Sequence, residues 1–199
     1  MIAILDYGYG NIKSIFNALK FLELDCKVIY NFKNTDFKKI ILPGVGAFGP
    51  AIESIKKKGL DDDIKNFLND KTNIMLGICL GMQLLANIGN EETANNGLNL
   101  IDGETKYLKK NNAITHHVGW NNIQIKKKNK ILKDIREDVD FYFCHSVYFD
   151  CNKKYVIAES NFNLDFPAVI NKDNIFGIQF HPEKSLVNGV QILKNFSSI

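Results

Sequence analysis

Two short stretches carry residues able to do chemistry together. In NIMLGICLGMQLL (Asn73 to Leu85), Cys79 lies between Gly77 and Gly81, where a strand-like apolar run meets a helix-like one. This is the pattern of a nucleophile elbow, with sulfur in place of a hydroxyl. A sharp strand-to-helix turn strains the residue at its tip and crowds the residues two positions to either side, so those must be small. The turn lifts the sulfur clear of the carboxyl edge of the sheet, where open α/β sheets bind ligands. The N–H groups at the start of the following helix are expected to favour the thiolate. The Leu80 N–H would be placed to hold an oxyanion. By itself the pentapeptide fits a buried structural cysteine equally well, with glycines serving packing.

A thiolate nucleophile needs an acid–base partner. Of the four histidines, His181 in FGIQFHPEKS is the candidate. Pro182 fixes its own φ and restricts His181 to extended backbone, which makes the turn stiff. Glu183 can then reach back to the imidazole, set its tautomer and stabilise its positive charge. An isolated HPE would read more simply as a surface turn; the cysteine elbow argues otherwise. His116 and His117 fall in a polar connection before Gly119-Trp120-Asn121. His145, inside FYFCHSVYF, is expected in a pocket wall. The four cysteines (Cys26, Cys79, Cys144, Cys151) form no CxxC pair and no zinc spacing with histidine, so neither metal nor cofactor is expected.

The elements that must position these groups follow from periodicity. Ile2–Leu5, Cys26–Tyr30, Lys39–Pro43 and Asn73–Ile78 read as buried strands. Between them, Asn11–Leu24 and Ala51–Leu68, broken near Gly59, read as helices, and Leu80–Ile88 as a third. Strand–helix alternation with strands apolar on both sides predicts a parallel sheet covered on both faces. The second half runs mostly strand after strand: Thr105–Leu108, Ile123–Lys126, Phe141–Phe149, Val156–Ser160, Ala168–Asn171 and Ile175–Gln179, then a helix over Leu186–Phe196. These are expected to add antiparallel strands to the same sheet. Glu91–Gly97 reads as a polar loop and Lys126–Lys130 as a solvated turn.

The chain has 199 residues, 45% of them hydrophobic, which suits one domain spanning residues 1–199. Its net charge is +3 and its only arginine is Arg136, a poor endowment for reading phosphates or bases, so no nucleic-acid partner is expected. No apolar run approaches the ~20 residues of a membrane span. Without a leader-like segment, and with unpaired cysteines, the chain reads as cytoplasmic.

GICLGMQ together with FHPEKS resembles the class I glutamine amidotransferases. DYGYGN (Asp6–Asn11), LPGVGAFG (Leu42–Gly49) and GWN narrow the resemblance to the glutaminase subunits of imidazole glycerol phosphate synthase. It runs from Ile2 to Phe196. It implies an α/β, flavodoxin-like fold: an open, mostly parallel central sheet with helices on both faces. It also implies that Cys79, His181 and Glu183 hydrolyse L-glutamine to glutamate and ammonia through a thioester. The oxyanion donors would come from Leu80 and from Val45 and Gly46, and Gly46, Gln83, His145 and Ser146 would bind substrate. Tyr7, Asn11, Val118 and Trp120 would face a (β/α)₈-barrel cyclase that takes the ammonia. Two departures stand out. Val147 replaces a usual tyrosine, and His117-Val118 precedes GWN where His-Met is more usual. Both leave open a paralogous subunit that supplies ammonia to a synthase amidating surface-polysaccharide sugars.

Overall fold

Successive residues of the inner strands face opposite ways, and each set finds its own core. Of β1 (Ile2–Leu5), Ile2 and Ile4 join one apolar cluster while Ala3 and Leu5 join the other. β3 (Lys39–Leu42) and β4 (Ile74–Ile78) divide in the same way: Ile41, Leu76 and Ile78 on one side, Ile40, Leu42 and Met75 on the other. Helix α1 (Ile12–Phe21) covers the first cluster with Ile15 and Leu19. Helices α2 (Phe48–Lys57) and α3 (Leu60–Asn69) cover the second with Ile52, Ile55, Ile64 and Phe67. The computed structural model describes residues 1–33, 36–111, 113–136 and 139–199.

The other principal elements are β2 (Cys26–Ile29), α4 (Leu80–Gln83), β5 (Gly103–Tyr107), β6 (His117–Asn122), β7 (Asp140–His145) and β8 (Val147–Cys151). After them come β9 (Val156–Asn161), β10 (Asp165–Lys172), β11 (Ile175–Ile178) and α5 (Leu186–Ser198). Among the described residues, an eight-stranded sheet has the order Gln124–Ile125, β9, β10, β11, β4, β3, β1, β2. β11, β4, β3, β1 and β2 are parallel to one another, and the strands beyond β11 are antiparallel. The class is therefore the expected α/β sheet with antiparallel additions, but the strands expected at Thr105–Leu108 and Phe141–Phe149 do not join it and lie in smaller separate sheets. Helix α5 seals the first face with Ile192, Leu193 and Phe196.

Three local expectations need correction. The helix read over Leu80–Ile88 is one turn long. Leu84, Leu85 and Ala86 are all fully buried, so this run has no polar face to hold an amphipathic helix. The chain instead leaves to pair, the Asn87 N–H donating to the Gly103 carbonyl at 3.0 Å. The single strand read over Phe141–Phe149 is two. β7 pairs with β6, and after Ser146 the chain crosses to pair β8 with β5 in a separate sheet. His117 lies in β6 and not in a connection. Its inward residues, His117 and Asn121, are polar, so the two-residue alternation carries no apolar signal.

The elbow glycines answer to different crowding. A Cβ on Gly77 would stand 2.7 Å from the Gly81 carbonyl oxygen, the mutual crowding expected of the turn. A Cβ on Gly81 would stand 1.9 Å from the Leu42 carbonyl oxygen, backbone of the neighbouring strand that cannot yield. Gly81→Ala should therefore cost about 3 kcal/mol or more. The measurement is thermal unfolding: a Tm drop of roughly 6 °C or more is expected, and an unchanged Tm would contradict the packing argument.

Candidate functional site

The parallel register of β4 and β11 sets Ile78 opposite Ile178, so both strands end on one rim. The Cys79 N–H continues the ladder by donating to the Ile178 carbonyl at 2.8 Å. Cys79 then takes φ 54° and ψ −112°, a left-handed conformation that a residue with a Cβ adopts only where its surroundings enforce it. One more pair of residues along β11 brings His181 to the same place. Its backbone is extended (φ −97°, ψ 99°) and Pro182 opens the short helical turn after it.

His181 lines the rim cavity together with Cys79, and the two are electrostatically coupled. Its Nδ1 lies 2.9 Å from Glu183 Oε1, and that carboxylate side chain is almost wholly buried. Burial opposes the imidazolium, but the Cys79 charge and Glu183 outweigh it and hold the His181 pKa up at about 10. His181 is thus a cation at neutral pH, paired with the sulfur on one side and a carboxylate on the other. With α4 reduced to one turn, the positive charge beside the sulfur comes from this imidazolium more than from an aligned helix.

A cavity of about 290 Å³ opens at this rim. The Gly44–Gly46 loop supplies Val45 and Gly46 to its wall, and the elbow supplies Cys79, Leu80 and Gln83. His145, Ser146, Val118 and His181 close it from the second half of the chain. Gly46 takes φ +105°, and a Cβ on Gly44 would stand 2.6 Å from the Gly81 nitrogen, so the loop lies directly on the elbow. Gln83 is buried and its Nε2 donates to the Val147 carbonyl at 2.8 Å. The departure at Val147 therefore leaves a main-chain contact in use.

Of the residues expected at a partner surface, Val118 and Trp120 project outward from β6, 62% and 48% exposed. Asn11 is half-buried at the start of α1. Tyr7 is fully buried, its hydroxyl donating to the Pro43 carbonyl at 2.8 Å beneath the glycine loop, so its ring offers no outer surface. Glu91, His116, Cys144 and Lys184 also line the cavity and were not foreseen. Neither was Gln179, whose Nε2 lies 3.6 Å from Cys79 Sγ. A signal existed: Gln179 stands two residues before His181 in extended chain, hence on the same side. A larger cleft of about 1250 Å³ opens at the other end of β4, against Ile74, and holds none of these groups. Among the described residues, no group of three or more His, Cys, Asp or Glu could hold a metal ion, and no helix is long and apolar enough to cross a membrane.

Comparison with known proteins gives the family and the fold. The family model for glutamine amidotransferase class-I matches residues 3–198. The imidazole glycerol phosphate synthase subunit HisH of Caldanaerobacter subterraneus subsp. tengcongensis is 44% identical, over 100% of this chain and 98% of its own length. The protein of the same name from Leptospira borgpetersenii is 39% identical, over the whole of both chains. Among solved structures, PurLQS from Thermotoga maritima superposes with a TM-score of 0.77 at 15% identity, covering 98% of this chain and 96% of that one. A glutamine amidotransferase structure does so with a TM-score of 0.75 at 16% identity, over 100% and 99%. At such identities the structural likeness is one of fold.

Proposed function

Because the chain belongs to the class-I glutamine amidotransferase family, we propose that it is the glutaminase subunit of an imidazole glycerol phosphate synthase. The observation that carries this reading is the strained Cys79 at the sheet rim, sharing one cavity with a His181 imidazolium that Glu183 holds. The names of the relatives at 39% and 44% identity support the pathway over the polysaccharide alternative.

The chemistry follows from the charges. The Cys79 thiolate attacks the side-chain amide carbon of L-glutamine, and the carbonyl electrons move to oxygen. The Leu80 N–H and the N–H groups of Val45 and Gly46 are the proposed donors to that oxyanion. As the C–N bond breaks, the His181 imidazolium gives its proton to the departing nitrogen and ammonia leaves. A γ-glutamyl thioester remains on Cys79. Neutral His181 then takes a proton from water, the hydroxide adds to the thioester, and collapse expels the thiolate. Glutamate departs and His181 is again a cation. Glu183 keeps the ring in one tautomer throughout.

Ammonia released into water would be protonated and lose its lone pair, so a closed interface is needed. The proposed partner is a (β/α)₈-barrel cyclase that receives the ammonia. Val118 and Trp120 are the candidate contacts, because the strand that exposes them also reaches the cavity wall. Asn11 is a second candidate. The compartment proposed is the cytoplasm, where the four free cysteines stay reduced.

The test is glutamate release from L-glutamine with and without a candidate barrel cyclase and its ribulosyl aminoimidazole nucleotide. Glutamate and imidazole glycerol phosphate should appear in equal amounts, and absence of glutamate with any barrel partner would overturn the reading. Trp120→Ala should leave the fold intact and weaken affinity for the partner by about 2 kcal/mol, roughly thirtyfold in Kd. Titration calorimetry measures it, and equal affinity would remove Trp120 from the interface.

A further inference from the structure

Three buried polar residues linked to the cavity wall have no part in the steps above: His117, His145 and Gln179. They form one hydrogen-bonded line with Gln83 and Cys79, and a single carbonyl fixes its direction. The Val147 oxygen can only accept. His145 Nδ1 lies 2.9 Å from it and Gln83 Nε2 lies 2.8 Å from it, so both must donate. With its hydrogen on Nδ1, neutral His145 offers Nε2 as an acceptor. His117 Nδ1, 3.1 Å away, donates to it. His117 Nε2 is then left to accept, and Asn121 Nδ2 stands 3.3 Å from it.

On the other side, Gln83 Nε2 gives its second hydrogen to Gln179 Oε1 at 3.1 Å. Gln179 therefore turns its own Nε2 toward Cys79 Sγ. Burial keeps both imidazoles in the neutral form this pattern requires, pushing His145 down to about 3 and His117 to about 4. The line is also clamped: His117 is stacked between Phe143 and Phe162, with ring centroids 4.7 and 4.4 Å away.

The consequence appears at Gln83. Both hydrogens of its carboxamide are committed inside the protein, so the atom left to face the cavity is Oε1, an acceptor. An acceptor in that wall suits a cationic donor on the ligand. A ligand without that donor leaves a desolvated oxygen unpaired.

We propose that Gln179 and the His117–His145 pair are positioning residues that hold the Gln83 carboxamide with its oxygen toward the cavity, and so make the pocket demand the α-ammonium group of its substrate. This deepens the glutaminase reading and rests on it.

The test uses the intact chain and two electrophiles for Cys79. One is a diazoketone analogue of L-glutamine, which carries the amino-acid end; the other is iodoacetamide, which lacks it. Sulfur displaces dinitrogen from the protonated diazoketone, or iodide from iodoacetamide. The readout is the ratio of the two alkylation rates, which cancels any change in the sulfur itself. In the parent the diazoketone should react much faster, and L-glutamine should protect. Gln179→Leu and His145→Phe should each lower the ratio about tenfold. Gln179→Glu keeps an acceptor for Gln83 Nε2 and should hold the ratio within about twofold of the parent, even where both rates fall. A role confined to packing would move stability and both rates, leaving the ratio alone.

An unchanged ratio in Gln179→Leu and His145→Phe would overturn the proposal while the glutaminase reading stands. So would an equal fall in Gln179→Glu and Gln179→Leu. A parent that neither prefers the diazoketone nor is protected by L-glutamine would instead sink the glutaminase reading, and this proposal with it.

Discussion

Replacing Cys79 with serine should lower glutamate release by at least about 10³-fold while the partner's synthesis from added ammonia continues. The substitution changes one atom and keeps the side chain's shape, so the elbow, with its left-handed φ of 54°, should survive. What changes is charge. A hydroxyl does not ionise near neutral pH, so the His181 imidazolium loses the anion that raises its pKa most. The serine variant would then lack a nucleophile and a fully charged acid together. Ammonia supplied from solution bypasses both. Its use by the barrel partner should stay within about twofold of the parent, because the proposed division of labour gives that chemistry to the other chain. The measurement is paired: glutamate by enzymatic assay, and cyclised product with glutamine or with an ammonium salt. Continued glutamate release from Cys79→Ser would disprove the nucleophile assignment. Loss of both activities would mean that the substitution had broken the complex.

The sequence made the elbow legible because its causes are local. Gly77, Cys79 and Gly81 are a turn's own requirement, and His181-Pro182-Glu183 is a stiff turn with a carboxylate in reach. Periodicity likewise found the parallel strands, since Ile2, Ile41 and Leu76 are buried in one core whatever lies between them. What stayed hidden was set by neighbours far along the chain. The stronger constraint on Gly81 is the Leu42 carbonyl, one strand away. α4 stops after one turn because Asn87 pairs with Gly103. Tyr7 lies in a motif of a partner-facing kind, yet its hydroxyl is committed to Pro43. His117 was missed because its burial is aromatic stacking and hydrogen bonding in a strand whose inward residues are polar. Tertiary contacts decide such cases, and single-sequence periodicity cannot contain them.

His181→Asn should cost about 10²–10⁴-fold in kcat, with a smaller change in KM, because asparagine can hydrogen-bond but cannot give a proton to the departing nitrogen. The pH profile separates this role from a structural one. A pKa raised to about 10 means the imidazolium persists through neutral pH and is lost as pH rises through that value. With the site saturated by L-glutamine, the parent should therefore keep its acid until an alkaline limb in kcat near pH 10. The linked stability has the same sign: it is complete below the ordinary histidine value and disappears as pH climbs through the folded one. Glu183→Gln keeps an oxygen to accept from His181 Nδ1 but removes the charge that helps hold the pKa up. It should move the alkaline limb to lower pH. It should also leave a buried amide nitrogen without an acceptor, since Glu183 Oε2 has no hydrogen-bond partner now. The Cys79 alkylation rate near neutral pH supplies the independent check. It should fall about tenfold or more in His181→Asn, because the thiolate has lost its counter-charge. An unchanged rate would mean that His181 neither activates the sulfur nor pairs with it, and the catalytic assignment would have to be rebuilt around another group at the rim.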